Sequence, residues 1–391
     1  MEWKEYNICQ LCDTISETYK GKSNSVVLIN TSDVLEGKVL NHKRVPNKGL
    51  KGQFKKTFKK NDILYSEIRP ANKRFAYINF SPNDYIASTK LMVLRSKPIV
   101  SSYFLFQILK SEIVLKNLQM LAESRSGTFP QITYSELSNV RVKVPPLPVQ
   151  DKIVGILSAL DSKIENNNKI NANLEAQAEA LFKSWFVDFT PFKDQPFVDS
   201  ELGPIPQGWK VGTLGDIANI IMGQSPAGSS YNERGNGVIF YQGRTEFGFR
   251  FPNVRLYTTM PKRYAEPMSI LLSVRAPVGD INVAIEKCCI GRGLASISSK
   301  RGLHSFLLYL VKSLKNRLEV FNGEGTVFGS INKNTLMQFK IIIPPIEMQE
   351  KFNEIIQRHD CMVLELHKEI INLSTQRDTL LPKLMSGEIK L

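Results

Sequence analysis

The chain has 391 residues, of which 42% are hydrophobic and 23% charged, and its formal net charge at pH 7 is +14. This length allows two or more domains with their own hydrophobic cores. The longest apolar stretches, such as residues 103–109, are too short to span a bilayer, and the N-terminus lacks the apolar core of a signal peptide. We therefore expect a globular cytoplasmic protein that makes no membrane contact.

The excess of basic residues predicts a polyanionic partner, with nucleic acid as the first candidate and an anionic membrane surface as the second. The five cysteines do not indicate a disulfide framework in a chain of this length. Cys9 and Cys12 have the spacing of half a zinc site, but no second pair follows them. We therefore expect buried free thiols and no bound metal.

The chain contains one long internal repeat, with an offset of about 200 residues between its two copies. Residues 141–146 (RVKVPP) match residues 340–345 (KIIIPP), and Gln150 matches Gln349 at the same offset. Each copy also begins with Trp-Lys, at Trp3 and at Trp209. A long period with only two copies indicates two copies of one domain-plus-helix unit.

The elements in chain order give an α+β fold. Strand-like runs at residues 26–29, 75–80 and 91–94 and a helix at 102–121 predict a mixed α/β domain over residues 1–147, here called domain 1. A spacer helix over 148–189 and a proline-rich linker over 190–206 follow. Strand-like runs at 239–240 and 281–285 and a helix at 304–321 predict domain 2 over 207–345. A second spacer helix covers 346–391.

The two spacer helices carry a heptad pattern typical of a coiled coil. Neither helix can bury its apolar stripe alone, so we predict that the two pair antiparallel and give the repeat a pseudo-twofold axis. Each helix spans roughly 50–60 Å at 1.5 Å per residue, a suitable spacer between two DNA contacts. Asn167 and Asn171 fall on the seam, where they either set the register or occupy a partly wet position. The predicted apolar seam residues are Leu157, Leu160, Ile164, Leu174, Leu181, Trp185, Phe352, Ile356, Val363, Leu366, Ile370, Leu373 and Leu380.

Basic residues concentrate in the loops of both domains, where arginine is suited to reading guanine edges and lysine to neutralising phosphate. Two loops rich in glycine and hydroxyl residues recur at equivalent places and are candidates for backbone contacts to phosphate. A solvated basic face and a plain tight turn are the competing interpretations. The candidate DNA-binding residues are Lys55, Lys56, Arg69, Lys73, Arg74, Arg125, Ser126, Gly127, Thr128, Arg244, Arg263, Arg275, Arg292, Gly325 and Thr326.

Sequence motifs of catalysis are missing from both domains. The chain has no Gly-x4-Gly-Lys-Ser/Thr loop and no HExxH segment. An amino-methyltransferase needs Asp or Asn before a double proline and an aromatic residue after it, but residues 144–147 read VPPL and residues 343–346 read IPPI. We therefore predict a non-catalytic chain. A single-chain DNA methyltransferase or nuclease, and a basic protein scaffold, remain the alternatives.

Four stretches together resemble the specificity subunits of type I restriction-modification systems. They are residues 145–150 (PPLPVQ), 180–189 (ALFKSWFVDF), 201–209 (ELGPIPQGW) and 380–389 (LLPKLMSGEI). The resemblance implies that domains 1 and 2 are target-recognition domains, each reading one half of a split site in double-stranded DNA. It also implies that the helices set the unread gap and dock two modification subunits, and that restriction subunits join the complex.

The same resemblance implies that this chain holds no cofactor. S-adenosylmethionine, ATP and Mg would be bound by the modification and restriction subunits. Recognition loops diverge within such a family, so the candidate residues above rest on charge and loop position alone.

Overall fold

A computed structural model describes residues 3–50, 52–125, 129–275, 277–322 and 329–391. The chain divides into two compact units: unit 1 comprises residues 1–166 and 370–391, and unit 2 comprises residues 167–369. Domain 1 lies in unit 1 and domain 2 in unit 2, while each long helix contributes one part to each unit. Both units contain sheets and helices, which confirms the predicted α+β class.

In unit 1 the strands are short and rich in β-branched and aromatic residues, as expected of half-buried strands. The helices are α1 (Ile8–Leu11), α2 (Ser102–Leu109), α3 (Glu112–Arg125), α4 (Tyr134–Ser138) and α5 (Leu147–Phe186). The strands are β1 (Lys4–Asn7), β2 (Cys12–Ile15), β3 (Ser25–Ile29), β4 (Val34–Leu35), β5 (Lys38–Val39), β6 (Arg44–Pro46), β7 (Phe54–Lys56), β8 (Ile63–Ser66), β9 (Phe75–Tyr77), β10 (Tyr85–Ser88), β11 (Leu91–Ser96) and β12 (Arg141–Val144).

Unit 2 contains the remaining elements. Its helices are α6 (Leu214–Ile217), α7 (His304–Ser313), α8 (Lys315–Glu319), α9 (Lys333–Met337) and the first part of α10 (Ile346–Ser386). Its strands are β13 (Phe197–Val198), β14 (Ile205–Pro206), β15 (Lys210–Thr213), β16 (Ala218–Met222), β17 (Tyr231–Asn232), β18 (Val238–Tyr241), β19 (Leu256–Thr258), β20 (Tyr264–Ala265), β21 (Ile270–Val274), β22 (Val278–Val283), β23 (Cys288–Ile290), β24 (Leu294–Ser299) and β25 (Lys340–Ile343).

Two sheets in each unit have equivalent strand orders, which confirms the internal repeat, whereas a further sheet has four strands in unit 1 and five in unit 2. In unit 1, β1 pairs with β12, and an antiparallel sheet has the order β2-β11-β8-β9. In unit 2, β15 pairs with β25, and the equivalent sheet has the order β16-β24-β21-β22. The second sheet of each unit contains one parallel pair, β3 with β10 and β18 with β23.

Two predicted helices are each divided in the structure. The segment predicted as one helix over 102–121 is α2 followed by α3, with a turn at Lys110 and Ser111. In unit 2 the segment 304–321 is likewise α7 and α8, and the break falls at Leu314. In unit 1, α2 packs against β11 and α3 packs against the turn at Pro70–Asn72, so the two helices contact different parts of the domain.

The long helices run antiparallel within each unit, as predicted. In unit 2, Asn167 early in this part of α5 donates its side-chain amide to Glu369 late in α10, at 2.7 Å. Further along α5, the ring of Phe182 lies 5.5 Å from that of Phe352, which is early in α10. In unit 1, Leu157 shares a core cluster with the C-terminal turns of α10. Each of the predicted seam residues is buried or half-buried.

The seam was predicted incompletely in unit 2. The seam prediction did not include Phe182 and Phe186 of α5, which are buried there, whereas the predicted Leu181 and Trp185 are half-buried. The heptad rule identifies only the face that meets the other helix. In unit 2, α5 also contributes to the core of domain 2, and this second face carries Phe182 and Phe186.

The two seam asparagines are buried rather than partly exposed. Asn167 is 1% exposed and Asn171 3% exposed, and in the described part of the chain the Oδ1 atom of each has no hydrogen-bond partner. Buried polar seam residues favour one register at a cost in stability. This placement favours the register-setting interpretation of the two.

Side chains near the start of each long helix bind the start of the neighbouring domain helix. The Gln150 amide accepts from the Ser101 N–H at 2.8 Å, at the start of α2, and donates to the Pro145 carbonyl at 2.8 Å. In unit 2, Gln349 donates to the Pro344 carbonyl at 2.7 Å, and Asn353 accepts from the Ser305 N–H at the start of α7. These bonds satisfy helix-terminal groups that would otherwise lack partners.

The predicted linker is folded against unit 2. It carries β13 and β14, which pair antiparallel, and the ring of Phe192 lies 5.2 Å from that of Trp209. Helix α5 ends at Phe186 rather than at residue 189, and Phe189 adopts a positive φ of 51° just beyond it. Helix α10 ends at Ser386 rather than at residue 391.

Candidate nucleic-acid interface

The parallel strands β18 and β23 of domain 2 end at the same edge of their sheet. Gln242 and Arg244 follow β18, and Gly291-Arg292-Gly293 follows β23. Loop residues after parallel strands are common sites of ligand binding because a rigid sheet positions them together. We call residues 223–225, 242–244, 263, 275 and 291–293 the domain 2 loop edge.

Backbone hydrogen bonds hold the segments of the domain 2 loop edge together. The Gln224 N–H donates to the Ile290 carbonyl at 2.9 Å, and the Gly291 N–H donates to the Tyr241 carbonyl at 2.8 Å. The Arg263 carbonyl accepts from the Ile290 N–H at 3.0 Å. A fourth bond, from the Val274 N–H to the Gly293 carbonyl at 2.9 Å, brings the end of β21 to the same place.

Two of the glycines are required by this close approach. A Cβ atom on Gly291 would lie 2.6 Å from the Gln242 carbonyl oxygen, and a Cβ on Gly223 would lie 2.8 Å from the carbonyl of Ile290. Real Cβ atoms do not approach backbone oxygens so closely, so glycine lets these loops pack directly on one another. The side chains that project from them therefore stand on a tightly joined base.

All four arginines predicted for domain 2 lie at this edge, and each is exposed. Arg292 follows β23 directly, and its N–H donates to the Ser225 hydroxyl at 3.2 Å. Arg263 precedes β20, and Arg275 follows β21 and bridges to Ser330. The guanidinium of Arg244 forms an ion pair of 3.0 Å with Asp280.

Sequence reasoning missed two residues of the domain 2 loop edge, Gln224 and Gln242. Both are exposed, and both stand beside a glycine in the sequence. The available signal was this Gly-Gln pairing in two loops that follow strands. A search for charge alone could not detect it, because glutamine carries none.

Arg250 shows that basic charge alone does not identify a DNA contact in domain 2. It belongs to the same basic stretch of sequence as Arg244, yet it is 4% exposed. Its guanidinium donates to Glu175 of α5, to Asp360 of α10 at 2.5 Å and to the Tyr309 hydroxyl at 2.9 Å. Arg250 therefore ties domain 2 to both long helices inside unit 2 and cannot reach DNA.

The surroundings of Arg250 form a buried polar network. Burial opposes its charge, but Asp360 and Tyr309 outweigh that effect, and the pKa of the guanidinium is raised. Lys312 donates to Glu175 and, at 2.9 Å, to Glu179. Burial lowers the pKa of Lys312 to about 8, so its ammonium remains charged near neutral pH.

Unit 1 contains a corresponding ion pair at its long helices, made by different residues. Asp161 occupies the position in the repeat that Asp360 occupies in unit 2, and it accepts from Arg377 of α10 at 2.9 Å and from the Tyr103 hydroxyl. The aspartate is thus kept in both copies as the acceptor for a charged partner. The arginine that pairs with this aspartate is Arg377 of α10 in unit 1 and Arg250 of domain 2 in unit 2.

Domain 1 has an equivalent loop edge with a different set of side chains. The Ile132 N–H donates to the Glu67 carbonyl at 2.8 Å, as the Ile331 N–H donates to the Val274 carbonyl at 3.0 Å in domain 2. The Thr89 N–H, just after the parallel strand β10, donates to the Gln53 carbonyl at 2.7 Å. Two domains of one topology therefore present different chemistry at the same edge.

The predicted lysines and arginines of domain 1 divide into two groups. Lys55 on β7 and Arg69 are exposed, and Arg69 adopts a positive φ of 43°. Lys73 is also exposed and forms an ion pair of 3.4 Å with Glu36. Lys56 and Arg74 are committed to the domain itself.

The contacts of Lys56 and Arg74 favour a structural role for both. The Lys56 ammonium donates to the carbonyls of Thr89 and Leu91 at 2.9 and 2.8 Å, and burial lowers its pKa. The Arg74 guanidinium donates to the Ser32 carbonyl at 3.1 Å. These bonds engage donors of both side chains within the domain.

Several predicted residues lie outside the described residues, so the predictions made for them stay predictions. They are Ser126, Gly127, Thr128, Gly325, Thr326 and the side chain of Arg125.

No group of three or more His, Cys, Asp or Glu residues within the described ranges could hold a metal ion. The cysteines are free, but only Cys12, Cys288 and Cys289 are buried as expected, whereas Cys361 is exposed. Burial raises the pKa of Cys288 to about 12, as expected of a core thiol. Each helix in the described part of the chain is too short or too polar to cross a membrane.

Comparison with known proteins identifies the family. The model of the type I restriction modification DNA specificity domain matches residues 1–176 and 206–374. The chain belongs to this specificity-subunit family. The type I restriction enzyme HindI specificity subunit of Haemophilus influenzae is 32% identical, over 99% of this chain and all of the relative. The putative MjaX specificity subunit of Methanocaldococcus jannaschii is 34% identical over 84% of this chain and 78% of its own length.

A solved structure supports the fold. The type I S subunit from M. genitalium is 19% identical and aligns with a TM-score of 0.56 over 98% of this chain and 96% of its own. This specificity subunit is therefore the DNA-recognition component of a type I restriction-modification system and not its enzyme. Subunits of this kind act with DNA and with modification and restriction subunits, which agrees in outline with the predicted partners.

Proposed function

We propose that this specificity subunit reads a split target in double-stranded DNA, with domain 1 bound to one half-site and domain 2 to the other. The observation that carries the proposal is the pair of loop edges, which have the same topology and different side chains. Equivalent scaffolds with unlike contact residues are suited to two unlike short sequences. The net charge of +14 supplies the sequence-independent attraction to phosphate.

The long helices offer equivalent surfaces for two modification subunits. Ile156 on α5 is 37% exposed, and Ile355 on α10 is 38% exposed. The offset between them is the one that separates Gln150 from Gln349, so they occupy the same position in the two copies of the repeat. The duplicated helices thus supply two equivalent positions, one in each unit, and we place one modification subunit at each of them.

The cofactors of the complex are assigned to the modification and restriction subunits. S-adenosylmethionine would be held by the modification subunits and ATP with Mg by the restriction subunits, while this chain holds none of them. The complex would work in the cytoplasm, where its DNA target is.

The test is methylation mapping of genomic DNA from cells that express this chain with its modification subunit. We expect a new methylated motif made of two short sequences separated by an unread gap, and no such motif without this chain. A continuous motif would contradict the split target. If a folded and bound modification subunit gave no methylation, the chain would be a protein scaffold. Methylation by the purified chain alone would make it an enzyme.

The length of the helices should set the gap. Inserting one heptad beside Asn167 in α5 and one beside Glu369 in α10, which are bonded at 2.7 Å, keeps the seam in register. Each insertion adds about 10 Å of helix, so the gap should lengthen by about three base pairs. The control carries seven extra residues in the exposed turn at 234–236 and should keep the original gap. An unchanged gap in the heptad variant would show that the helices are not the ruler.

A further inference from the structure

Three exposed side chains stand at the centre of the domain 2 loop edge: Gln224, Gln242 and Arg292. The backbones of these residues are held together directly. The Gln224 N–H donates to the carbonyl of Ile290, the last residue of β23. Gly291, which precedes Arg292, packs on the Gln242 carbonyl. Strand β23 lies between β18 and β20 in the sheet order, away from its margins. The base from which these side chains project is therefore rigid before any ligand arrives.

The chemistry of these side chains matches the edges of purine bases. The arginine guanidinium pairs with O6 and N7 of guanine, and the glutamine amide pairs with N6 and N7 of adenine, both through two hydrogen bonds. In the part of the chain that the structure describes, none of the three side chains has a hydrogen-bond or ion-pair partner, so their donors and acceptors remain available.

The other arginines of this edge are placed differently. Arg244 is held by Asp280 at 3.0 Å. Arg263 precedes the marginal strand β20, and Arg275 follows β21 of the other sheet. Arg263 and Arg275 thus flank the central group, where a cation meets the sugar-phosphate backbone rather than the floor of a groove.

We propose that Gln224, Gln242 and Arg292 read base edges in the half-site of domain 2, which therefore contains guanine and adenine, and that Arg263 and Arg275 bind phosphate. This inference rests on the proposed function, in which domain 2 reads one of the two half-sites.

The test uses the complex of the full chain with its modification subunits and duplexes that differ from the mapped target by one base pair. In Arg292→Ala and Gln242→Ala, discrimination at one position each of the domain 2 half-site should fall about tenfold or more. Discrimination in the domain 1 half-site should not change. Arg292→Lys keeps the charge and loses the two-bond geometry, so it should relax the guanine position while overall binding is largely kept.

Two sets of variants provide the contrast. Arg263→Ala and Arg275→Ala should weaken binding to every duplex alike and lower the salt dependence of binding by about one ion each. Arg234→Ala removes an exposed arginine at the opposite end of β18 and should leave discrimination unchanged.

The outcomes separate this inference from the proposed function. If the wild-type complex methylates a split motif and Arg292→Ala and Gln242→Ala weaken all duplexes equally, the inference is wrong and the split target stands. The same holds if these variants discriminate as the wild type does. If the wild-type motif is not split, the proposed function fails first, and the inference fails with it.

Discussion

Replacing Arg250 with alanine is expected to lower the free energy of unfolding of unit 2 by about 3–5 kcal/mol. The side chains of Glu175 and Asp360 are only 9% and 5% exposed, and both pair with this guanidinium. Removing Arg250 leaves these carboxylates buried with less compensating charge, which costs more than the loss of an exposed ion pair. Arg250→Lys should be intermediate, because a lysine ammonium cannot bridge two carboxylates as a guanidinium does.

The measurement is hydrogen exchange of the full chain, followed on peptides of α7 and α10 that belong to unit 2. Lys340→Ala serves as the control, since Lys340 forms an ion pair of 2.8 Å with Glu201 in which both side chains are about half exposed. That variant should lose at most about 1 kcal/mol. If Arg250→Ala loses no more than this control, the buried network contributes little to stability.

Arg250→Ala also separates a structural arginine from a DNA-reading one. Because Arg250 is buried, the variant should keep the target sequence of domain 2 wherever unit 2 remains folded. A changed target sequence in a folded variant would contradict the structural role.

Replacing Phe352 with alanine is expected to destabilise unit 2 by about 3–5 kcal/mol. The ring is fully buried and lies 5.4 Å from that of Phe186 and 5.5 Å from that of Phe182 of α5. Tyr309 of α7 packs on it as well, at 6.1 Å. Alanine would leave a cavity at the junction of both long helices with domain 2.

Phe352→Leu is the matched control because it retains most of the apolar volume, and it should cost about 1.5 kcal/mol or less. Urea unfolding of the full chain, monitored by circular dichroism and by hydrogen exchange in unit 2, compares the two variants. Equal stability of the alanine and leucine variants would show that this aromatic cluster tolerates a cavity and contributes little to the stability of unit 2.

The sequence alone was sufficient for the features that depend on local periodicity and on repetition. The heptads predicted two long helices that pack on each other, because helical periodicity is a property of neighbours along the chain. The matches between residues 141–146 and 340–345 predicted the duplicated fold, since equivalent sequences adopt equivalent topology. The candidate arginines of domain 2 also came from the sequence, and the structure brings all four to one edge.

Tertiary structure decided which basic residues are exposed and which glutamines join them. Arg244 and Arg250 are six residues apart in one basic stretch, but only Arg250 meets carboxylates 75 and 110 residues away in sequence. Burial depends on such distant contacts, and charge or periodicity does not encode them. Gln242 gains its place because β18 and β23 pair in parallel, and Gln224 gains its place because its N–H donates to the Ile290 carbonyl at the end of β23. Parallel pairing joins strands that are far apart in the chain, so only the folded sheet shows which loops end side by side.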